Sequence, residues 1–289
     1  MKVKVYAKLN LTLNVGEKSG KFHPIDSVAT SVDICDVVEV ALRQDGQINV
    51  CGVNDVEKEN NTAYRAAVAF MRAFGKKTAN SKPGVDIFIQ KGIPFGAGLG
   101  GSSADAAAVV YCMCKLFGVD IHSRKVHELS SLIGSDVNFM LFGGLGRMQG
   151  KGDDVTYHKL TEPLHFALTT FDADMSSGEI YSAFDTAPVS KKVDNGFLLR
   201  LLRQGANSQA IAMFSNDLQQ ATVRVSDYAK DYLSFVQSHN LQYNMTGSGS
   251  AYYVACVTRQ DAEQVAELLN AHGFNTTVCL SIPRGIVEV

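Results

Sequence analysis

A glycine-rich segment that joins a predicted strand to a predicted helix constrains the fold of this chain more than any other feature. It reads KGIPFGAGLGGSSADAAAVV over residues 91–110. The preceding residues 85–90 (VDIFIQ) alternate apolar and polar side chains and are rich in β-branched and aromatic types, which predicts a strand. The alanine-rich residues that follow predict a helix beginning near Ser102 or Ser103. The glycines therefore lie at a helix N-terminus.

A helix N-terminus of this kind is suited to bind an anion. The free N–H groups of the first turn and the positive end of the helix dipole attract negative charge, and glycines let an anion approach closely. Phosphate is the expected ligand. A tight turn without a ligand is the alternative, but five glycines followed by two serines carry a large cost in conformational entropy.

The same glycines also fit a dinucleotide-binding pattern. Gly96, Gly98 and Gly101 satisfy G-x-G-x-x-G, and Asp120 lies about 20 residues downstream, as that pattern requires. Against this interpretation, residues 92–95 separate the predicted strand from the glycines, whereas a Rossmann turn follows its strand almost at once. No lysine follows the last glycine as in a Walker A loop, and the companion motifs of protein kinases are absent from the sequence. A Rossmann oxidoreductase and a non-catalytic nucleotide-binding protein stay open as alternatives.

The bulk composition is that of an ordinary globular protein. The chain has 289 residues, of which 46% are hydrophobic and 19% charged. This length allows two domains, which we predict as residues 1–160 and 161–289. The formal net charge of -2, without a polybasic run, argues against nucleic acid or a membrane as partner. Since the sequence shows no long apolar run and no signal-peptide core at its start, we expect a cytoplasmic protein.

The six cysteines are scattered along the chain, and only Cys112 and Cys114 lie close together. A single C-x-C within a predicted helix does not make a zinc site without a second pair of ligands. We therefore interpret the cysteines as buried free thiols.

The N-terminal residues 2–15 alternate over a long distance, which predicts one strand or two strands joined at a bend. If the leucines face the core, then Lys8, Asn10 and Thr12 share the opposite face. A lysine at such a position is usually a solvated residue of an edge strand, and this is the default interpretation of Lys8 taken alone.

Hydrophobic periodicity and turn signals predict most of the remaining elements. The predicted strands are 31–42, 47–50, 145–148, 155–160, 166–171 and 276–280, and the predicted helices are 61–74, 177–184, 195–202, 209–214, 225–238 and 260–270. Asn60 or Asn61 is the expected N-cap of the first helix, and Ser135 is the expected N-cap of a short helix with Asp136 in its first turn. This order of elements suits an α+β architecture.

Four segments in chain order resemble the motifs of the GHMP small-molecule kinases. They are YAKLNLTLNV (6–15), IPFGAGLGGSSADAAA (93–108), GSDVNF (134–139) and MTGSGSAYY (245–253). Within this superfamily the chain is similar to the kinases of 4-diphosphocytidyl-2-C-methyl-D-erythritol, which belong to the non-mevalonate route to isoprenoids and terpenoids. The match covers most of the chain, and four ordered motifs are far more specific than any one of them.

The resemblance implies a transferase that uses ATP and Mg²⁺ to phosphorylate the 2-hydroxyl of this cytidine-diphosphate-linked alcohol. It implies an α+β GHMP kinase fold of two domains, with an N-terminal domain like domain 2 of ribosomal protein S5 and a ferredoxin-like C-terminal domain. Residues 1–160 would bind ATP and carry out catalysis, and residues 161–289 would form the substrate side. A monomer or weak homodimer is expected.

By similarity, Lys8 and Asp136 are the catalytic pair, in which the carboxylate takes or orients the proton of the substrate hydroxyl and the ammonium steadies negative charge. The residues implied to bind ATP are Lys91, Asn61, Pro94, Gly96, Gly98, Gly100, Gly101, Ser102 and Ser103. The residues implied to bind the acceptor are Asn10, Phe22, His23, Tyr181, Gly247 and Ser248. No dedicated protein cage for the metal is implied, although the Ser103 hydroxyl would lie near it.

The chain departs from the usual pattern of this family at three places. Phe22 stands where the family more often has tyrosine, Tyr6 stands where proline is usual, and Val137-Asn138 stand where proline is common. These differences affect substrate specificity more than phosphate transfer. A GHMP kinase acting on homoserine, mevalonate or a sugar is therefore the closest alternative, while an aromatic and imidazole group at residues 22, 23 and 181 favours a substrate that carries a nucleobase.

Overall fold

The computed structural model describes residues 1–20, 22–53, 57, 59–75, 82–172, 176–188 and 191–289. The strands are β1 (Lys2–Val15), β2 (Ile25–Arg43), β3 (Ile48–Cys51), β4 (Gly84–Gln90), β5 (Leu145–Gly150), β6 (Asp154–His158), β7 (His165–Thr170), β8 (Ser215–Asn216), β9 (Tyr243–Met245), β10 (Tyr252–Cys256), β11 (Asn275–Ile282) and β12 (Ile286–Glu288). The helices are α1 (Thr62–Phe74), α2 (Gly101–Phe117), α3 (Arg124–Ile133), α4 (Val137–Phe142), α5 (Ser177–Thr186), α6 (Asn195–Arg203), α7 (Asn207–Ile211), α8 (Gln219–Val225), α9 (Asp227–Ser238) and α10 (Arg259–Ala271).

The described strands form one mixed sheet, whose main path runs β12-β1-β2-β11-β7-β10-β9. The long strand β2 also pairs with β4 and with β5, so it connects most of the first half of the chain. Across the predicted boundary at residue 160, β2 pairs antiparallel with β11 through Val32 and Ser281. The α+β fold class is therefore confirmed, and the two halves of the chain share one sheet.

The N-terminal strand shows why both faces of a strand can be buried. β1 is a single strand with register shifts against β2 after Tyr6 and after Asn10. Its apolar face, from Val3 to Leu11, lies in the core. From Lys8 onward its polar face is buried as well, and Lys8 N–H donates to the Leu99 carbonyl at 3.0 Å, whereas Lys2 and Lys4 are exposed. The default interpretation of Lys8 as a solvated edge residue is therefore wrong, since the glycine segment packs over it.

Several element boundaries differ from the predictions by one to a few residues. α2 begins at Gly101 rather than at Ser102 or Ser103, because Gly100 supplies the left-handed N-cap. Asp136 itself, not Ser135, is the N-cap of α4. In the predicted helix 225–238, Ser226 separates α8 from α9 with an extended backbone. The predicted helix 209–214 is instead the short α7, which ends at Ile211.

The cysteines follow their prediction only in part. Four of the six are buried free thiols, whereas Cys35 is partly buried and Cys51 is exposed at the end of β3. Among the helices of the described ranges, none combines the length and the apolar character that a membrane span requires.

Candidate active site

A cavity of about 830 Å³ lies where the two glycine-rich segments meet. Its volume falls in the range of small-molecule sites. Nearly all the residues that the family resemblance implied line it, namely Lys8, Asn10, Phe22, His23, Lys91, Pro94, Gly96, Gly98, Gly100, Gly101, Ser102, Ser103, Asp136, Tyr181, Gly247 and Ser248. The sequence prediction therefore names residues that the fold brings together from both halves of the chain.

The glycine segment before α2 is shaped by close packing as well as by backbone conformation. Gly98 has φ 72°, and a Cβ on it would lie 2.2 Å from the Thr246 carbonyl oxygen. Gly100 has φ 76°, and a Cβ there would lie 2.2 Å from Cε of Met140. A larger residue at either position would need both a strained backbone and displaced neighbours. The N-terminus of α2 thus lines the cavity on one side and packs closely against the rest of the protein on the other.

The second glycine-rich segment, residues 246–251, holds the first one in place. Ser250 N–H donates to the Gly96 carbonyl and Ala251 N–H donates to the Ala97 carbonyl, both at 3.2 Å. The Thr246 hydroxyl donates to the Gly98 carbonyl at 3.2 Å. These three hydrogen bonds fix the backbone of the glycine loop at Gly96, Ala97 and Gly98, beside the cavity.

Lys8 and Asp136 approach each other beside this loop. Nζ of Lys8 lies 3.7 Å from Oδ2 of Asp136, and it donates a hydrogen bond to Oδ1 of Asn10. Asn10 is fixed in turn, since its Oδ1 accepts from Gly247 N–H at 2.9 Å and its Nδ2 donates to the Ser27 hydroxyl at 2.8 Å. Asn10 therefore orients the ammonium, while the carboxylate of Asp136 forms a longer ion pair with it.

Burial sets the electrostatics of Lys8, whose side chain is 4% exposed. Burial lowers the pKa of its ammonium, and the negative charge and hydrogen bond of Asp136 offset part of that effect. A desolvated cation interacts with nearby negative charge more strongly than a solvated one. The site can thus stabilise charge that develops between Lys8 and the glycine loop.

A second lysine–carboxylate cluster lies behind the glycine loop. Nζ of Lys91 contacts Oδ2 of Asp36 in β2 and lies 2.8 Å from Oδ2 of Asp105 in α2. The other oxygen of Asp36 accepts hydrogen bonds from the N–H groups of Gly92 and Ile93, at 2.7 and 2.8 Å. Burial, the largest effect, raises the pKa of Asp105 to about 7; Lys91 opposes this shift and Asp36 adds to it.

The far end of the cavity is built from His23 and α5. The rings of His23 and Tyr181 stack with their centroids 5.4 Å apart. Nδ1 of His23 donates to the Gly16 carbonyl at 2.9 Å, and Nε2 lies 2.8 Å from Oδ1 of Asp185 without hydrogen-bond geometry. Burial and then the charge of Asp136 raise the pKa of Tyr181 to about 12, so this phenol stays neutral.

Two of the predicted residues are placed differently from the rest. The ring of Phe22 is 42% exposed at the cavity edge, with Nζ of Lys151 4.7 Å from its centroid. Asn61 does not line the cavity, because its side chain caps α1 by accepting from the N–H groups of Ala63 and Tyr64. Its neighbour Thr62 does reach the loop, since the Thr62 hydroxyl donates to the Ser102 carbonyl at 2.6 Å.

Sequence reasoning missed the acidic residues Asp36, Asp105 and Asp185. Asp105 lies among alanines at a buried position of α2. A single charged residue in such an apolar run could have indicated a buried ion pair. Asp36 is fully buried within β2, where an aspartate is equally unexpected. Asp185 follows Tyr181 by one helical turn, so the two share a face of α5.

Comparison with known proteins agrees with this geometry. Residues 61–144 match the family model described as the GHMP kinases N terminal domain. The chain is 32% identical to the 4-diphosphocytidyl-2-C-methyl-D-erythritol kinase of Caldicellulosiruptor saccharolyticus, over 93% of this chain and 92% of the relative. The chain belongs to the GHMP kinase family. The chain is therefore an ATP-dependent small-molecule kinase. The Rossmann oxidoreductase that the glycine pattern of residues 96–101 left open is wrong.

Solved GHMP kinase structures have the same fold. A crystal structure of 4-(cytidine 5'-diphospho)-2C-methyl-D-erythritol kinase is similar with a TM-score of 0.78 and 25% identity, covering 98% of this chain and all of that chain. A homoserine kinase from Cytophaga hutchinsonii has a TM-score of 0.74 at 16% identity, covering 100% of this chain and 97% of that one. The second similarity concerns the fold alone.

Proposed function

We propose that this GHMP kinase transfers the γ-phosphate of ATP to the 2-hydroxyl of 4-diphosphocytidyl-2-C-methyl-D-erythritol. One observation carries the proposal: a single cavity joins the glycine loop and the Lys8–Asp136 pair at one end to the His23–Tyr181 stack at the other. The named relative, which matches over most of both chains, acts on this substrate by its name. An acceptor with an alcohol at one end and a nucleobase at the other suits such a cavity.

In the proposed reaction the glycine loop binds the triphosphate through backbone N–H groups at the start of α2. Asp136 accepts the hydroxyl proton as the alcohol oxygen bonds to the γ-phosphorus. The bond from that phosphorus to the β–γ bridging oxygen breaks, and ADP leaves. Lys8 stabilises the charge that builds up on the transferring group, because its buried ammonium lies 3.7 Å from Asp136.

The oxygen donors at this end of the cavity fit Mg²⁺. Ser103 and Asp136 both line the cavity, and a hydroxyl and a carboxylate are among the hard oxygen ligands that Mg²⁺ prefers. We propose that Ser103 would hold the ion together with the ATP phosphates. When bound, the ion would neutralise part of the phosphate charge.

The aromatic end would bind the cytosine. Tyr181 offers a partly buried ring and Phe22 an exposed one, and the imidazole of His23 stacks on Tyr181 and is held between the Gly16 carbonyl and Asp185. Stacking on such rings favours a planar base, while polar edges select among bases. The division of labour between residues 1–160 and 161–289 is part of this proposal, since the loop and the catalytic pair lie in the first range and Tyr181 in the second.

The proposal is tested by ADP release in a coupled assay, with the cytidine-diphosphate-linked alcohol, homoserine and mevalonate as separate acceptors. Turnover with the first alone is expected. Turnover with only homoserine or mevalonate would refute the proposed acceptor, although the kinase activity would stand. A Tyr181→Ala variant is the matched control, because it should raise KM for the acceptor and leave KM for ATP unchanged.

A further inference from the structure

The Lys91 cluster connects three elements at the point where the glycine loop begins. Asp36 comes from the middle of β2, Lys91 follows the end of β4, and Asp105 lies in the second turn of α2. Both carboxylates contact the same ammonium. All three side chains are largely or fully buried, with Asp36 wholly inaccessible. The cluster is thus an internal connection and not a surface ion pair.

Asp36 also holds the backbone of the loop. Its Oδ1 accepts from two consecutive N–H groups, those of Gly92 and Ile93. A Cβ on Gly92 would lie 2.4 Å from the Cys35 carbonyl oxygen, so the loop begins in close contact with β2. Charge-assisted hydrogen bonds of this kind are stronger than neutral ones. The path of the loop out of β4 is fixed at its first two residues.

The ammonium of Lys91 also fixes the other end of the loop. A Cβ on Gly101 would lie 3.5 Å from Nζ of Lys91, so the ammonium sits directly beneath the first residue of α2. Asp105, one turn further along, anchors that ammonium to the helix. The start and the end of the glycine loop are therefore tied to one cluster.

We propose that Lys91, clamped between Asp36 and Asp105, is a positioning residue that sets the geometry of the triphosphate site, and not a ligand of the adenine. Two of its three N–H donors are directed to the carboxylates of Asp36 and Asp105. The cluster acts through the loop, whose N–H groups contact the phosphates. The inference rests on the nucleotide side of the proposed function and is independent of the acceptor.

An Asp36→Asn variant separates positioning from simple electrostatics. Removing a negative charge beside the triphosphate would strengthen binding if charge alone mattered. A positioning role predicts weaker binding, since the one oxygen of an amide cannot replace both carboxylate oxygens. We expect binding of inorganic tripolyphosphate with Mg²⁺, measured by calorimetry, to weaken about tenfold. Binding as tight as in the wild type, or tighter, would overturn the proposal.

Amide hydrogen exchange in the ligand-free protein gives a readout that electrostatic attraction does not affect. Exchange at residues 92–101 should be faster in Asp36→Asn than in the wild type, because the anchor of the loop is lost. Asp86→Asn is the matched control, since Asp86 lies on β4 in an ion pair with Arg43 away from the loop. Unchanged exchange in Asp36→Asn would count against the proposal. If that variant does not fold, Lys91→Gln decides by the same measurement.

A Lys91→Met variant tests the alternative that this lysine contacts the adenine. Positioning predicts that binding of ATP and of tripolyphosphate weakens by the same factor. Weaker binding of ATP alone would show a contact with the base and would refute the positioning role. These assays need no acceptor, so their failure is distinct from a failure of the proposed substrate.

Discussion

Two lysines line the same cavity, and their surroundings differ. Lys8 has one carboxylate, Asp136, at 3.7 Å, and its closest polar partner is the amide of Asn10. Lys91 has two carboxylates in direct contact. A loosely paired buried cation retains attraction for an incoming anion, whereas a cation between two carboxylates has that attraction satisfied. By this difference Lys8 is suited to stabilise charge in the reaction, whereas Lys91 is suited to hold the structure of the loop.

Asp136→Asn should have the largest effect on turnover. The amide keeps the size of the side chain but cannot accept the hydroxyl proton, and loss of a general base typically costs about 10²–10⁴-fold in rate. We expect kcat to fall by about this factor while ATP binding is kept. Steady-state kinetics and calorimetry measure the two. Wild-type kcat in this variant would remove Asp136 from the proposed mechanism.

Lys8→Met should have the next largest effect. Loss of one preorganised charge at a transition state typically costs about 10²–10³-fold in kcat. The variant should fold, because the carboxylate left without its partner, that of Asp136, is 29% exposed and can be solvated. Thermal unfolding checks the fold, and a loss of kcat smaller than about tenfold would show that Lys8 acts mainly in structure.

The same substitution, lysine to arginine, should distinguish the two clusters. Lys8 packs against Gly100, where a Cβ would lie 3.3 Å from its Cγ, so a guanidinium has little room. We expect Lys8→Arg to lower kcat by about 10–100-fold, since small misplacements at a reacting centre are costly. Lys91→Arg should change kcat by less than about threefold, because a guanidinium also bridges two carboxylates. Equal losses of kcat in both variants would show that the two lysines do not differ in their roles.

The smallest expected effect is a pH dependence of nucleotide binding. The Asp105 carboxyl, which faces Lys91 and Asp36, has a pKa raised to about 7. As the pH rises through this value, deprotonation of Asp105 adds one negative charge to the cluster. Asp36 holds the loop backbone, whereas Asp105 contacts Lys91 and can still accept from its ammonium when protonated. The added charge should therefore dominate at Asp105, and affinity for tripolyphosphate should fall by a few-fold as pH rises through about 7.

Asp105→Asn is the control for this pH effect, because it removes the titrating group and leaves the titration of the ligand itself unchanged. The slope of affinity against pH should flatten in the variant. The raised pKa also makes folding depend on pH. The contribution of Asp105 to the free energy of unfolding is greatest below pH 3.8, its pKa in the unfolded chain, and is lost as the pH rises through about 7. A slope identical to that of the wild type would assign the effect to another group.

Much of the site follows from local sequence. The glycines before α2 predict an anion site because backbone conformation and helix polarity are local properties. The order of the four motifs identifies the family, and with it Lys8, Asp136 and the residues of the aromatic end. The predictions for Ser102 and Ser135 as helix starts missed by one residue, since a cap depends on the dihedral angles of a single position.

The charges could not be assigned from the sequence in the same way. Asp36, Lys91 and Asp105 meet although Asp36 and Lys91 are 55 residues apart in the chain. Lys8 alternates with apolar residues as an edge lysine would, but the glycine segment covers it. A lysine's pKa and partners depend on burial and on neighbours brought in by distant strands. The sequence by itself thus determined the family and predicted that the glycine loop binds phosphate, while only the tertiary structure decided which lysine lacks two carboxylate partners.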